Sequence, residues 1–177
     1  MKSRFRITAL LAVIVLGCWG CEYFPSSTSP FDPSPSEPGP AVPVAIPIAD
    51  VIIETNNQRK ANNLGSLAEN SKLNAAADFK MRDMFARQYF DHYAPDGTSG
   101  IEELLIRFNY QYIAAGENLA LGDFKNANEL VSLWMASPGH KANILNSTYR
   151  EIGVATDYDM FQGRRTIIAV QIFGTRG

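Results

Sequence analysis

From residue 48 onward the apolar residues recur on the spacings of regular structure. Ile48, Val51, Ile52, Thr55 and Arg59 share one helical face while Asn56, Asn57 and Lys60 lie off it, which predicts a first helix stopping near Leu64-Gly65. Ser66-Leu67-Ala68-Glu69 has the form of a capping box. A second helix is predicted from about Ser71 to Gln88, because Leu73, Ala76, Ala77, Met81, Met84 and Phe85 form a wide apolar stripe. Pro95-Asp96-Gly97-Thr98 reads as a turn, after which Thr98 or Ser99 can cap a helix carrying Ile101, Leu104, Leu105 and Phe108. Tyr110 to Ala115 reads as extended chain. Asp123 or Asn126 opens another helix with Ala127, Leu130, Val131, Trp134 and Met135 inward. Pro138 suits the first position of a short helical turn that carries His140, Ile144 and Leu145. Two β-prone runs close the chain, Ile152 to Thr156 and Thr166 to Phe173, with Asp159 to Gly163 as the loop between them. Helices first and strands last imply one α+β domain over residues 48–177.

Before residue 48 the pattern changes character. Eight of the ten prolines fall between Pro25 and Pro47 with serines among them, so residues 18–47 are predicted to be a disordered stalk that cannot pack as a core. Residues 1–17 read as an export signal: Lys2, Arg4 and Arg6, then the apolar run Ile7 to Leu16. That run is too short for a membrane span of about 20 residues. Val15-Leu16-Gly17-Cys18 resembles the bacterial lipobox, which implies that Cys18 is lipidated and anchors the chain to a membrane. The alternative is a plain secretory signal and a secreted protein. Cys21 is the only other cysteine, so the domain folds without a disulfide.

Composition narrows the function. The chain is 177 residues long, 46% hydrophobic and 11% aromatic, enough for a single core. Setting aside the three basic residues of the signal leaves 13 basic against 18 acidic residues, and no Lys/Arg cluster that would hold nucleic acid.

The candidate chemistry rests on the two histidines of the chain. His92 follows Tyr89-Phe90-Asp91, and His140 lies in Trp134-Met135-Ala136-Ser137-Pro138-Gly139-His140. Between them runs Gly116-Glu117-Asn118-Leu119-Ala120. Brought together, His92, His140 and Glu117 could hold Zn²⁺ or another divalent cation with one position left to water. Glu117 could instead orient one imidazole from behind, or the trio could move protons near neutral pH. The plain structural alternative is that both histidines bond backbone at loop corners. Asn118 reads as a backbone clamp and Trp134 as core. No catalytic nucleophile stands out, since neither Ser137 nor Ser99 sits in a Gly-x-Ser-x-Gly elbow.

Phe90-x-His92 with Pro95-Asp96-Gly97, Gly116-Glu117-Asn118-Leu119-Ala120, Trp134-Met135-x-Ser137-Pro138-Gly139-His140 and Glu151-Ile152-Gly153-Val154, in that order, resemble the bacterial branch of the CAP superfamily. That superfamily takes in cysteine-rich secretory proteins, antigen 5 and plant pathogenesis-related 1 proteins, and its domain is also called SCP. The resemblance runs from about Ala49 to Phe173. It implies a three-layer α-β-α sandwich and a central cleft where two histidines and two acids converge. His92 and His140 match the histidines and Glu117 the first acid, while Ser137 stands nearest the place of the second. Neither Glu129 nor Glu151 has a motif match that assigns it to the cleft. The resemblance also implies a small apolar or lipid ligand in some members and a metal in others. The expected function is therefore a cell-envelope protein that binds a metal, a lipid or an envelope polymer. The rivals are a metal-dependent hydrolase of envelope peptide or glycan, and an interaction protein with a vestigial cleft.

Overall fold

The computed structural model describes residues 44–177. The export signal, Cys18, Cys21 and the stalk up to residue 43 lie outside the described residues. The elements run α1 (Ile48–Ala61), β1 (Ala68–Glu69), α2 (Ser71–Arg87), α3 (Ile101–Arg107), β2 (Tyr112–Gly122), α4 (Ala127–Ala136), α5 (Pro138–Ile144), β3 (Glu151–Phe161) and β4 (Arg164–Arg176). The strands form one sheet in the order β1-β3-β4-β2. β3 and β4 are an antiparallel hairpin, β2 pairs antiparallel with β4, and β1 pairs parallel with β3.

Alternation along β4 makes the three layers. Ile168, Val170 and Ile172 face one side and pack with the apolar stripe of α2 and with Leu104 and Leu105 of α3. Ile167, Ala169 and Phe173 face the other and pack with Val51 and Ile52 of α1, Leu130, Val131 and Trp134 of α4, and Ile144 of α5. β4 is therefore buried on both faces, which is why its sequence reads as a nearly continuous apolar run. The domain is an α-β-α sandwich, as the resemblance implied. Packing begins ahead of α1, since Ile46 is buried in the second core.

Several local expectations are corrected. Ser66 to Glu69 is not a capping box: Ala68 and Glu69 form β1, and the side chain of Asn70 caps α2 by accepting from the amides of Lys72 and Leu73. The pairing of β1 with β3 claims the backbone that a cap would have used. Helix α1 ends at Ala61, and Asn63, with φ of 61°, takes the left-handed position expected of Gly65. Gly100 caps α3 without a side-chain bond, because Ser99 itself lies at φ 59° and points its amide at Glu103 Oε2, 3.0 Å away. Both closing strands are longer than expected, since Phe161 pairs directly with Arg164 across a two-residue turn at Gln162-Gly163 with positive φ at both. Asn126, one of the two expected caps of α4, accepts from the Glu129 amide at 3.0 Å, and the carboxylate of Glu129 returns to the Lys125 amide.

Candidate functional site

The site is built on β2, the edge strand next to β4. Consecutive side chains of a strand point to opposite faces. Glu117 pairs in register with Ile172 and so faces the α2 layer, while Asn118 pairs with Gln171 and faces the α4–α5 layer. One dipeptide at the sheet edge therefore reaches into both helical layers.

On the α2 side, Glu117 meets His92. Glu117 Oε1 lies 2.7 Å from His92 Nδ1, and the Glu117 side chain is only 3% exposed against 53% for His92. This contact fixes the imidazole and leaves its Nε2 as the free ring nitrogen. The bond to Glu117 is the main reason that the pKa of His92 rises above its ordinary value, with burial opposing it. Glu117 Oε2 is buried and lacks a partner among the described residues.

Behind this pair lies Lys80, fully buried on α2. Its ammonium donates to the backbone oxygens of His92 at 2.9 Å and Ser99 at 3.0 Å, and to Tyr89 Oη at 3.3 Å. Three acceptors match its three hydrogens. Burial lowers the Lys80 pKa, and the nearby carboxylates of Glu117, Asp83 and Asp91 work against that. Tyr89 in turn donates to Asp83 Oδ2 at 2.6 Å, and burial holds its hydroxyl well above the usual tyrosine range. The segment bearing His92 is thus tied to α2 by a buried cation.

On the other side, Asn118 Nδ2 donates to the backbone oxygen of His140 and to Gln171 Oε1, both at 3.1 Å. Its Oδ1 accepts from Asn143 Nδ2 at 2.9 Å, and Gln171 Nε2 continues the chain to Thr55 Oγ1 at 2.8 Å. Asn118 and Gln171 are completely buried. This satisfied network holds α5, and with it His140, against the sheet. Burial lowers the His140 pKa, and the proximity of His92 lowers it further.

The outer edge of β2 is closed by side chains rather than by another strand. The carbonyls of Ala115, Glu117 and Leu119 accept from Tyr149 Oη at 2.9 Å, Asn143 Nδ2 at 3.0 Å and Trp134 Nε1 at 3.0 Å. Gly116 permits this, because a Cβ there would lie 2.3 Å from the Tyr149 hydroxyl and 3.0 Å from Asn143 Oδ1.

The remaining candidates fall elsewhere. Ser137 joins α4 to α5 and supplies its backbone oxygen to the Lys141 amide; its side chain does not cap α5. Glu129 caps α4. Glu151 belongs to a separate cluster with Asn70, Tyr110 and Arg176. Among the described residues no group of three or more His, Cys, Asp and Glu side chains is arranged to hold a metal ion. Glu117 is engaged with His92 Nδ1, which leaves His92 Nε2 and the His140 ring as the nitrogen atoms available to a ligand.

A profile of the cysteine-rich secretory protein family, CAP, matches residues 52–173, which contain His92, Glu117 and His140 and the side chains that hold them. The chain belongs to the CAP family. Its CAP domain is 38% identical over 104 residues to the uncharacterized protein YkwD of Bacillus subtilis, a match covering 59% of this chain and 40% of that protein. It is 27% identical, with a TM-score of 0.61, to an extracellular protein of Bacillus anthracis that contains an SCP domain, covering 73% of this chain and 40% of that one. The chain thus spans about two fifths of the length of both relatives. An outer surface protein of Borrelia burgdorferi shares the fold at 24% identity and a TM-score of 0.64, covering 72% of this chain and 90% of that one.

Four side chains that build this site, Lys80, Asn143, Tyr149 and Gln171, are not singled out by motif or spacing. Two carry a signal nonetheless: Lys80 interrupts the apolar stripe of α2, and Gln171 interrupts the apolar run of β4.

Proposed function

We propose that this CAP domain is a binding module of the cell envelope, exported and held to a membrane through a lipid on Cys18. Its binding face is the β2 edge, where His92 and His140 flank Glu117. The observation that carries the reading is the 2.7 Å contact between His92 Nδ1 and Glu117 Oε1. It orients His92 and favours its protonated form, while His140 is biased toward the neutral form. A cationic N–H donor beside a neutral imidazole suits a polar ligand rich in oxygen acceptors, such as an envelope glycan or peptide. Turnover is not part of the proposal: among the described residues no histidine or carboxylate is hydrogen-bonded to the hydroxyl of Ser99 or Ser137.

A second reading is favoured by the same contact. A carboxylate behind an imidazole is the arrangement that supports metal-ligating histidines. His92 Nε2 and His140 would hold a divalent cation such as Zn²⁺, which would supply Lewis acidity toward a ligand oxygen. Loading it would require His92 to lose its proton.

Co-sedimentation of the full-length chain with purified peptidoglycan tests the first reading. Retention is expected to fall at least tenfold in both His92→Ala and His140→Ala; equal retention in all three proteins overturns it. Calorimetric titration with zinc on the same proteins separates the second reading, which fails if no binding is lost in the variants. Membrane fractionation tests the anchor, which is refuted if Cys18→Ala remains in the membrane fraction.

A further inference from the structure

Away from the histidines, two cavities adjoin along the connection from α3 to β2. One, of about 380 Å³, is lined by Lys72, Asn109, Tyr110, Gln111, Arg176 and Gly177. The other, of about 410 Å³, shares Asn109, Tyr110 and Gln111 and adds Leu105, Ile106 and Tyr112. Together they make one groove that is basic at one end and apolar at the other.

The basic end is held in place by its neighbours. Lys72 Nζ donates to the Asn109 carbonyl at 2.7 Å, which leaves two of its three hydrogens for a ligand. Arg176 donates through Nε and Nη2 to Glu151, at 3.1 and 2.8 Å. Glu151 also accepts from Asn70 at 3.0 Å and from the Tyr110 hydroxyl at 2.7 Å, so this acid at the border of the groove is occupied. Tyr110 is 2% exposed and forms a rigid floor beneath both cavities. At the apolar end Ile106 is 73% exposed, a large aliphatic side chain left in water. Between the two ends stand the primary amides of Asn109 and Gln111, which can both donate and accept.

We propose that this groove binds a short peptide bearing a carboxylate, with the carboxylate between Lys72 and Arg176 and an apolar side chain over Leu105, Ile106 and Tyr112. The amides of Asn109 and Gln111 pair with its backbone, a role that a simple fatty acid would leave unused. The site lies at the start of β2, apart from His92, Glu117 and His140, and does not depend on what binds there.

The test is titration of the isotopically labelled full-length chain with N-acetyl-leucyl-alanine, followed by amide chemical shifts. Saturable shifts are expected at Lys72 and at residues 109–112, with His92 and His140 unmoved. Affinity is expected to fall at least tenfold for the C-terminally amidated dipeptide and in Lys72→Gln, which disturbs only an exposed bond. Arg176→Gln is expected to act likewise, with unchanged thermal midpoint in Lys72→Gln as the control. Absence of saturable shifts, shifts confined to His92 and His140, or equal affinity for the amidated dipeptide overturns the proposal. Octanoate binding as tightly as the dipeptide refutes the assignment to a peptide.

Discussion

His92 Nδ1 and Glu117 Oε1 stand 2.7 Å apart, although 25 residues separate them and one sits on a loop after a helix while the other sits on an edge strand. The pair gives the domain a pH dependence with a definite sign. The folded-state pKa of His92 is raised, chiefly by the bond to Glu117, so the native chain holds this proton more tightly than the unfolded chain. The stabilisation is complete below the unfolded value of about 6.5 and is lost as pH rises through the folded value. NMR titration should place His92 above the ordinary histidine value, and Glu117→Gln should bring it back down. A His92 titration unchanged in Glu117→Gln would count against the pair.

His140 should behave oppositely. Burial lowers its pKa, with the charge of His92 second, so the unfolded chain binds this proton first. Its contribution to stability is lost as pH falls through the histidine range. Urea denaturation across pH 5 to 8 should show His140→Gln flattening the acid side of the profile. No change there would contradict the reading.

Lys80→Met keeps the length of the side chain and removes its ammonium. The carbonyls of His92 and Ser99 and the hydroxyl of Tyr89 lose their shared donor. A loss of about 3 kcal/mol is expected, in the range for buried polar partners left unsatisfied. Hydrogen exchange should show faster opening of residues 90–99 than of β4. A variant as stable as the parent would show that the buried cation is dispensable.

Asn118→Ala removes one side chain that serves three partners: the His140 carbonyl, Gln171 and Asn143. Destabilisation of about 2–4 kcal/mol is expected, because the orphaned groups stay buried. Chemical shift changes should spread to α5 rather than remain at β2.

Gly153→Ala tests the contact between α2 and the sheet. A Cβ at Gly153 would lie 2.1 Å from the carbonyl carbon of Leu73 and 2.3 Å from the amide of Asn74, both backbone atoms that cannot swing aside. The cost is expected at about 3 kcal/mol or more by thermal or urea melting. A neutral effect would mean that α2 can slide on β3.

Periodicity, with the cap and turn residues, was enough to locate the five helices of the described residues and the closing hairpin, because an apolar stripe must find a core whatever that core turns out to be. The four motifs were enough to carry the family and the layered fold, and to name His92, Glu117 and His140. What sequence reading missed depended on partners distant in the chain. Ala68 and Glu69 became a strand because β3 lay beside them, and no local signal at Ser66 to Glu69 announces a strand that far along the chain. Lys80 interrupts the apolar stripe of α2, and the carbonyls of His92 and Ser99 that satisfy its ammonium come from outside that helix. Only tertiary structure decided that Glu117 would meet His92, since which face a strand residue takes is set by register against β4. Local spacing determines which side chains are available; the pairing of distant strands determines which of them meet.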